Sequence, residues 1–499
     1  MFLGNTLNPQ AHLRQLGKLM LLATIACFAS TIGWDSAMAE NPPSNAPDQV
    51  VTEAVEHALL VDESIPSDFI DVSTHQGVIT LIGQVPHYRA KQRAAQLVET
   101  VKGVESVING LTVKNSQRPD EDILRDVKRV LQDDPATDIY DVTPTIRKGE
   151  VTLSGVVPSW AAKDLTGWVA SGVRGVRDIQ NKLIVEVKEH RSDSIILEEI
   201  QKRLASDVWV NDEAVLLSVK DGVVSLNGVV GSVAEKRRVV RDAHVAGVKD
   251  VDKRLLFVKK WAQGDERRKS KWKYKSDEEI RETLQLAYLY DPRVSVFNLT
   301  ITVREGIVTL SGHVDNFKAK RKAEETAKHT RGVLWVKNLL KVRPEGTTSD
   351  EELTRKVKLA IHDDPFLNAL NINFLVLHGK IILHGTVPSH FQKKQAEESV
   401  STVKGVVAVK NNLRVEENWS WKPDPFIKRD IESELWWSPY VDVDQVNVSV
   451  NQGVATLTGT VDNYFERDIA IENAREGGAK SVISQLIIRS NVEEKIPQP

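Results

Sequence analysis

Apolar and polar positions alternate with one rhythm at six places along the chain. In "GVITLIGQV", Gly77 to Val85, the residues Ile79, Leu81, Gly83 and Val85 share one face. Nearly the same run returns as "GEVTLSGVV" from Gly149, "GVVSLNGVV" from Gly222, "GIVTLSGHV" from Gly306, "GKIILHGTV" from Gly379 and "GVATLTGTV" from Gly453. Across the copies the opposite face is mostly Thr, Ser or Asn. A strict period of two predicts a half-buried strand in a sheet with one wet face.

The first glycines of these runs are 72, 73, 84, 73 and 74 residues apart. That period exceeds the about 20–50 residues of a solenoid repeat and fits a row of small domains. Before each run the rhythm changes. In "DEDILRDVKRVLQDDP", Ile123, Val127, Val130 and Leu131 fall at i, i+4, i+7 and i+8, one apolar helix face, with Asp120 as a candidate N-cap and Pro135 after the end. The design recurs from Asp277 and Asp350, and a strand such as "VFNLTITV" follows it. After the glycine run, Ser159, Ser232, Asn316, Ser389 and Asn463 are N-cap candidates for a second helix, with His87 the exception. A second glycine stands 25 or 26 residues after the first, at 103, 175, 247, 332, 405 and 478, and opens a last strand such as "GVESVINGLTV".

Each unit therefore reads α-β-β-α-β. The fold class is α+β: a tandem array of six small domains, each a three-stranded mixed sheet with two helices on one face. The expected boundaries are 47–115, 119–189, 192–258, 276–344, 349–416 and 424–492, with a signal peptide at 1–39 and a basic, aromatic linker at 259–275. A domain this small has a marginal core, so neighbours are expected to pack into a bent rod or arc. The first glycine of each run suits a tight hairpin turn with positive φ. The second, Gly83 and its equivalents, is expected to clear space for a packed helix.

The run G-x-[VI]-x-L-x-G-x-V, followed by G-V-x-x-V-x-N-x-L-x-V, resembles the BON domain family, named for bacterial osmotically induced and nodulation proteins. Six copies in register cover almost all of the chain after residue 39. The resemblance implies the α-β-β-α-β fold and exported, stress-related, non-enzymatic proteins, some of them associated with phospholipid or the cell envelope. Six copies depart from the usual one to three. The third and sixth units also depart at the last-strand Asn, where an ungapped alignment places Lys253 and Ser484.

Composition adds limits. Net charge is −3, against a protein that coats nucleic acid, and 41% hydrophobic with 27% charged residues is ordinary globular material. Arg14 and Lys18 precede the apolar run 19–34, and "SAMAE" follows with Ala37 and Ala39. This is the layout of a secretory signal peptide cut after Ala39, hence export to the periplasm. A retained anchor, or a lipidated Cys27 with Thr24 an unfavourable residue before it, are the alternatives. The only cysteine is Cys27, so cleavage leaves a chain without thiols.

No P-loop, H-E-x-x-H or G-x-S-x-G is present, and no catalytic constellation recurs among the copies. No cofactor or metal is expected; His362, His378, His384 and His390 of the fifth unit lack ligand spacing. "GVRG" at 172–175 occurs once, between helix and strand, and does not make a nucleotide clamp. Two stretches are candidates for binding. "KKWAQGDERRKSKWKYK", Lys259 to Lys275, has eight basic and two acidic residues, and its Trp261, Lys271, Trp272, Lys273, Tyr274 and Lys275 suit an anionic membrane interface, with a solvated linker as the plain alternative. In "ELWWSPY", Trp436 and Trp437 project away from the apolar face of their helix, so at least one is exposed unless a neighbour covers it. The expected partners are a membrane phospholipid surface or envelope proteins, with self-association open and nucleic acid excluded.

Overall fold

The computed structural model describes residues 48–489, apart from positions 63, 115–117, 187–190, 260–261, 263–274, 295–298, 345, 347, 417–421 and 439. All six units follow the expected order. In the first, a helix at Asp48–Val61 leads to the antiparallel strands Ile70–His75 and Val78–Val85, a second helix at Tyr88–Val98 and the strand Ser106–Val113. The Val78–Val85 strand is central, antiparallel to the first strand and parallel to the last. Ile79, Leu81 and Val85 are buried under the helices with Val51, Val55 and Leu59. Each unit has its own core of this kind.

The hairpin turn has two residues, and both have positive φ: Gln76 at 50° and Gly77 at 73°. This is the type I′ geometry that matches strand twist. A non-glycine at the first position is strained, and an aspartate in the first turn of the first helix compensates. Asp48 accepts hydrogen bonds from Gln76 N–H (2.7 Å) and Gly77 N–H (3.1 Å). The clamp is repeated by Asp120 on Lys148 and Gly149 (2.6 and 2.9 Å) and by Asp193, Asp277, Asp350 and Asp424 in the other units. Asp120 is thus not the N-cap; Pro119 is, and the carboxylate is spent on a turn 28 and 29 residues away. The helix N-terminus favours a negative charge there.

Two more expectations change. A Cβ on Gly83 would lie 2.0 Å from the carbonyl oxygen of Phe69, and one on Gly459 would lie 2.0 Å from that of Gln445. The glycine admits the backbone entering the neighbouring strand, not a helix. In the third unit the last strand breaks register between Asp252 and Leu255. Leu256 consequently fills the core and Leu255 is 57% exposed, so the ungapped alignment slips by one residue there. Elsewhere the last-strand Asn ties strand to helix: Asn109 donates to Lys91 O (3.0 Å) and Asn411 to Lys393 O (2.7 Å).

The units do not form a rod. The residue after each second-helix N-cap reaches into another unit. Tyr88 packs on the core of unit two. Trp160 donates from Nε1 to Val248 O of unit three (2.9 Å) and stacks on His244. Val233 returns to the core of unit one, which closes a ring. Phe317 packs on the core of unit five, His390 lies within electrostatic reach of Arg475 of unit six, and the Tyr464 hydroxyl donates to Leu334 O of unit four (2.8 Å), which closes a second ring.

The two rings then stack. Units two and five, three and four, and one and six meet through first-helix ends, as in Arg174 N–H to Asp363 O (3.2 Å) and Arg331 N–H to Ser206 O (3.3 Å) and His57 to Glu434. Units one and five, two and four, and three and six meet through His87 on Phe366, Arg293 on Asp134, and Trp209 between Tyr440 and Phe465. Each unit touches four others, in the pattern of two three-membered rings related by pseudo-twofold axes. The bent rod expected from sequence is replaced by this closed cluster, because the docking residues of units three and six turn back to units one and four.

Asp120→Asn keeps the shape but turns one acceptor into a donor facing an N–H. It is expected to cost about 1.5–3 kcal/mol and to speed amide exchange at Lys148 and Gly149, measured by hydrogen–deuterium exchange. Unchanged protection at both amides would show that the clamp is not needed.

Candidate functional site

Between the stacked rings lies a partly open cavity of about 1200 Å³, lined by residues of units one to five. Second helices line much of it: Arg89 from unit one, Trp168 from two, Arg241 and Asp242 from three, Glu325 from four and Glu398 from five. These residues sit on the helix face turned away from their own sheet. The capping residue before each helix fixes that face. Ser159, Ser232, Asn316, Ser389 and Asn463 all accept the expected N–H, and His87 does so too, through Nδ1 to Ala90 N–H (3.1 Å).

The charges around the cavity pair between units. Arg293 of unit four donates to both oxygens of Asp134 of unit two (3.1 and 2.9 Å), and both side chains are buried. Arg129 pairs with Asp363 and Lys318 with Glu398. Asp134 also accepts Ala136 N–H, which closes the turn at the end of the first helix. Burial, with Arg293 and Arg321 close by, pushes the Lys318 ammonium down to about 7. Burial and the neighbouring Asp207 push the Asp242 carboxyl up to about 8, while Arg238 binds Asp207 (2.5 Å). Burial lowers His87 and His244 to about 4, which keeps both rings neutral in their interfaces.

The residues singled out from sequence separate. Trp261, Lys271, Trp272, Lys273 and Tyr274 lie outside the described residues. Lys275 is half-buried at the start of unit four, 3.6 Å from Glu279. Trp436 and Trp437 are both half-buried, because unit one covers them. Trp437 packs on the first core, and Lys102 lies over the Trp436 ring and donates to its carbonyl. His384 pairs with Asn373 across the hairpin while His378 sits in the turn. Among the described residues no His, Cys, Asp and Glu group could hold a metal, and no helix is long and apolar enough to cross a membrane.

The cavity charges were not found by the sequence reading. One signal was available: the position after each N-cap reads Tyr88, Trp160, Val233, Phe317, His390 and Tyr464, too bulky for the solvent-facing start of a surface helix.

Six matches to the BON domain model cover residues 47–115, 119–187, 192–259, 276–344, 349–417 and 423–490. The chain belongs to the BON domain family. Osmotically-inducible protein Y of Escherichia coli is 35% identical over 139 residues, 26% of this chain and 69% of that protein. Outer membrane lipoprotein DolP of Haemophilus influenzae is 30% identical over 189 residues, 35% of this chain and 95% of that one. A solved structure of CdsD, a structural protein of the type III secretion system of Chlamydia trachomatis, is 18% identical and covers 41% of this chain and 91% of its own, with a TM-score of 0.12. At that score the likeness decides nothing.

Removing one partner of a buried ion pair strands the other charge. Arg293→Ala is expected to cost about 3–5 kcal/mol, read as a lower denaturation midpoint of the full chain; a shift under a tenth of that would mean the pair does not hold the rings.

Asp242 carries the opposite sign from a salt-bridged carboxylate. Its folded pKa lies above its unfolded value of 3.8, so its contribution is full below that value and is lost as pH rises through about 8. Asp242→Asn, which mimics the protonated form, should nearly match the parent at about pH 3.5 and unfold at a higher temperature than the parent at about pH 9, with the gap opening between about pH 4 and 8. Equal melting temperatures at both would place the group's titration elsewhere.

Proposed function

We propose that this BON protein is an exported, non-catalytic component of the cell envelope that binds anionic phospholipid surfaces through several of its units. The observation that carries the reading is apolar exposure on the outer sheet faces. Ile82, Ile184, Leu216, Phe257, Trp335, Leu375 and Ile487, drawn from all six units, stand exposed there. These side chains lie outside the core of each unit, and where they stand beside cations they are placed to meet an apolar boundary. Several weak sites on one rigid body add through avidity.

The names of the relatives, one osmotically inducible and one an outer membrane lipoprotein, agree with an envelope setting. The N-terminal layout supports export, and the absence of a recurring catalytic set supports a binding role. The segment 259–275 joins the two rings and supplies basic and aromatic residues, Trp261, Lys271, Trp272, Lys273 and Tyr274 among them, that suit the same interface. Trp436 and Trp437 are assigned instead to the contact with unit one. The rival is a protein scaffold, for which the apolar group Leu216, Leu255 and Phe257 on unit three is the best surface.

Co-sedimentation of the secreted chain with vesicles tests the proposal. Binding to phosphatidylglycerol-containing vesicles at low salt, weakened by added salt and absent on phosphatidylcholine alone, is the expected result. No binding to the anionic vesicles at low salt sinks it and leaves the scaffold.

A further inference from the structure

The two rings differ on their outside. The sheets of units one, two and three contain carboxylates: Asp71, Glu150, Asp178, Asp250 and Asp252. The strands of units four, five and six contain none. Unit six is uncharged throughout its strands, whereas units four and five carry cations only.

On unit four the outer face is defined by cross-strand pairs. Arg304 stands opposite Ile307, Ile307 opposite Trp335, Thr309 opposite Lys337 and His313 opposite Lys341. Trp335 is 58% exposed, Leu339 50% and Ile307 43%. On unit five, Leu377 stands opposite Lys380, Leu375 opposite Ile382, Ile382 opposite Lys410 and Thr386 opposite Arg414. The nearest carboxylates in the chain, Glu305 in the hairpin turn of unit four, Asp315 after its central strand and Glu416 after the last strand of unit five, lie outside the strands. Units four and five are neighbours in the ring, joined by Phe317.

We infer that the sheet faces of units four and five are the membrane-contact surface of this protein, and that they take an anionic bilayer surface. This rests on the phospholipid reading above and assigns it to one side of the cluster. A bilayer interface offers a negative plane with an apolar boundary just beneath it. Lys and Arg are attracted to the first, and Trp is at home at the boundary between them. Trp335, Ile307 and Leu339 set among Arg304, Lys337 and Lys341 match that order, and no carboxylate within the sheet neutralises the cations. A soluble acidic partner would need the cations but would leave Trp335 and Leu339 without an apolar counterpart.

The chain has a single cysteine, which makes site-specific labelling direct. In a Cys27→Ser background, Leu339→Cys and Leu375→Cys probe the proposed faces, and Ile184→Cys probes unit two. Each variant is labelled with an environment-sensitive dye and mixed with phosphatidylglycerol vesicles at low salt. The expected result is a blue shift at 339 and 375 and none at 184. Lys337→Glu with Lys341→Glu should weaken vesicle binding at least about 25-fold, on the order of fivefold per basic residue. Arg147→Glu with Lys182→Glu on unit two changes net charge equally and should have a far smaller effect. Vesicle binding with silent probes at 339 and 375 overturns this inference and leaves the phospholipid reading intact. No vesicle binding at all overturns both. A blue shift of equal size with a soluble polyanion and no vesicles assigns the faces to a soluble acidic partner and also overturns it.

Discussion

A small unit of this fold cannot bury enough apolar surface to stand comfortably alone, and the side chain that follows each second-helix N-cap is how the chain meets that constraint. Tyr88, Trp160, Val233, Phe317 and Tyr464 leave their own units and contact the next one in a ring. The cap makes this possible. By satisfying the first helical N–H groups from within the unit, Ser159 or Asn316 frees the next side chain from local work and aims it outward. Once the rings close, the second helices share one interior, and their charges have to find partners in other units. Arg293 on Asp134 and Lys318 on Glu398 follow from the closure of the rings.

The unit was legible because its signals are local. The period-two strand, the N-cap serines and asparagines, and the positive-φ glycines each report on a few adjacent residues, and each appears where the pattern put it. The aspartate at the start of the first helix was misread because its partner is far off in sequence. As a helix-start residue it has a local explanation ready, and nothing in "PDED" points to a turn 28 residues later. Gly83 was misread for a related reason. The closest atom to its missing side chain belongs to the backbone before the paired strand, a register detail that alternation does not encode. In unit three, a one-residue bulge makes an ungapped alignment place the exposed Leu255 where the buried Leu256 belongs.

The arrangement of units was beyond reach by periodicity, since a repeat of constant length fits a rod and a ring equally well. The one break in the period is informative in retrospect. Residues 259–275 fall where the chain leaves the first ring, closed by Val233 on unit one, and starts the second.

The same reasoning bears on the outer faces. Helix faces are constrained by ring closure, and sheet interiors by the core, so the outward side of each sheet is the surface least committed to the architecture. There the two rings diverge in charge: carboxylates in every sheet of the first ring, and cations without carboxylates in the sheets of units four and five. A difference confined to the uncommitted surface of one ring gives the cluster a preferred side, and a body with a charged side orients on a charged plane. On the proposed reading, the second ring turns toward an anionic surface and the first is left to face away from it.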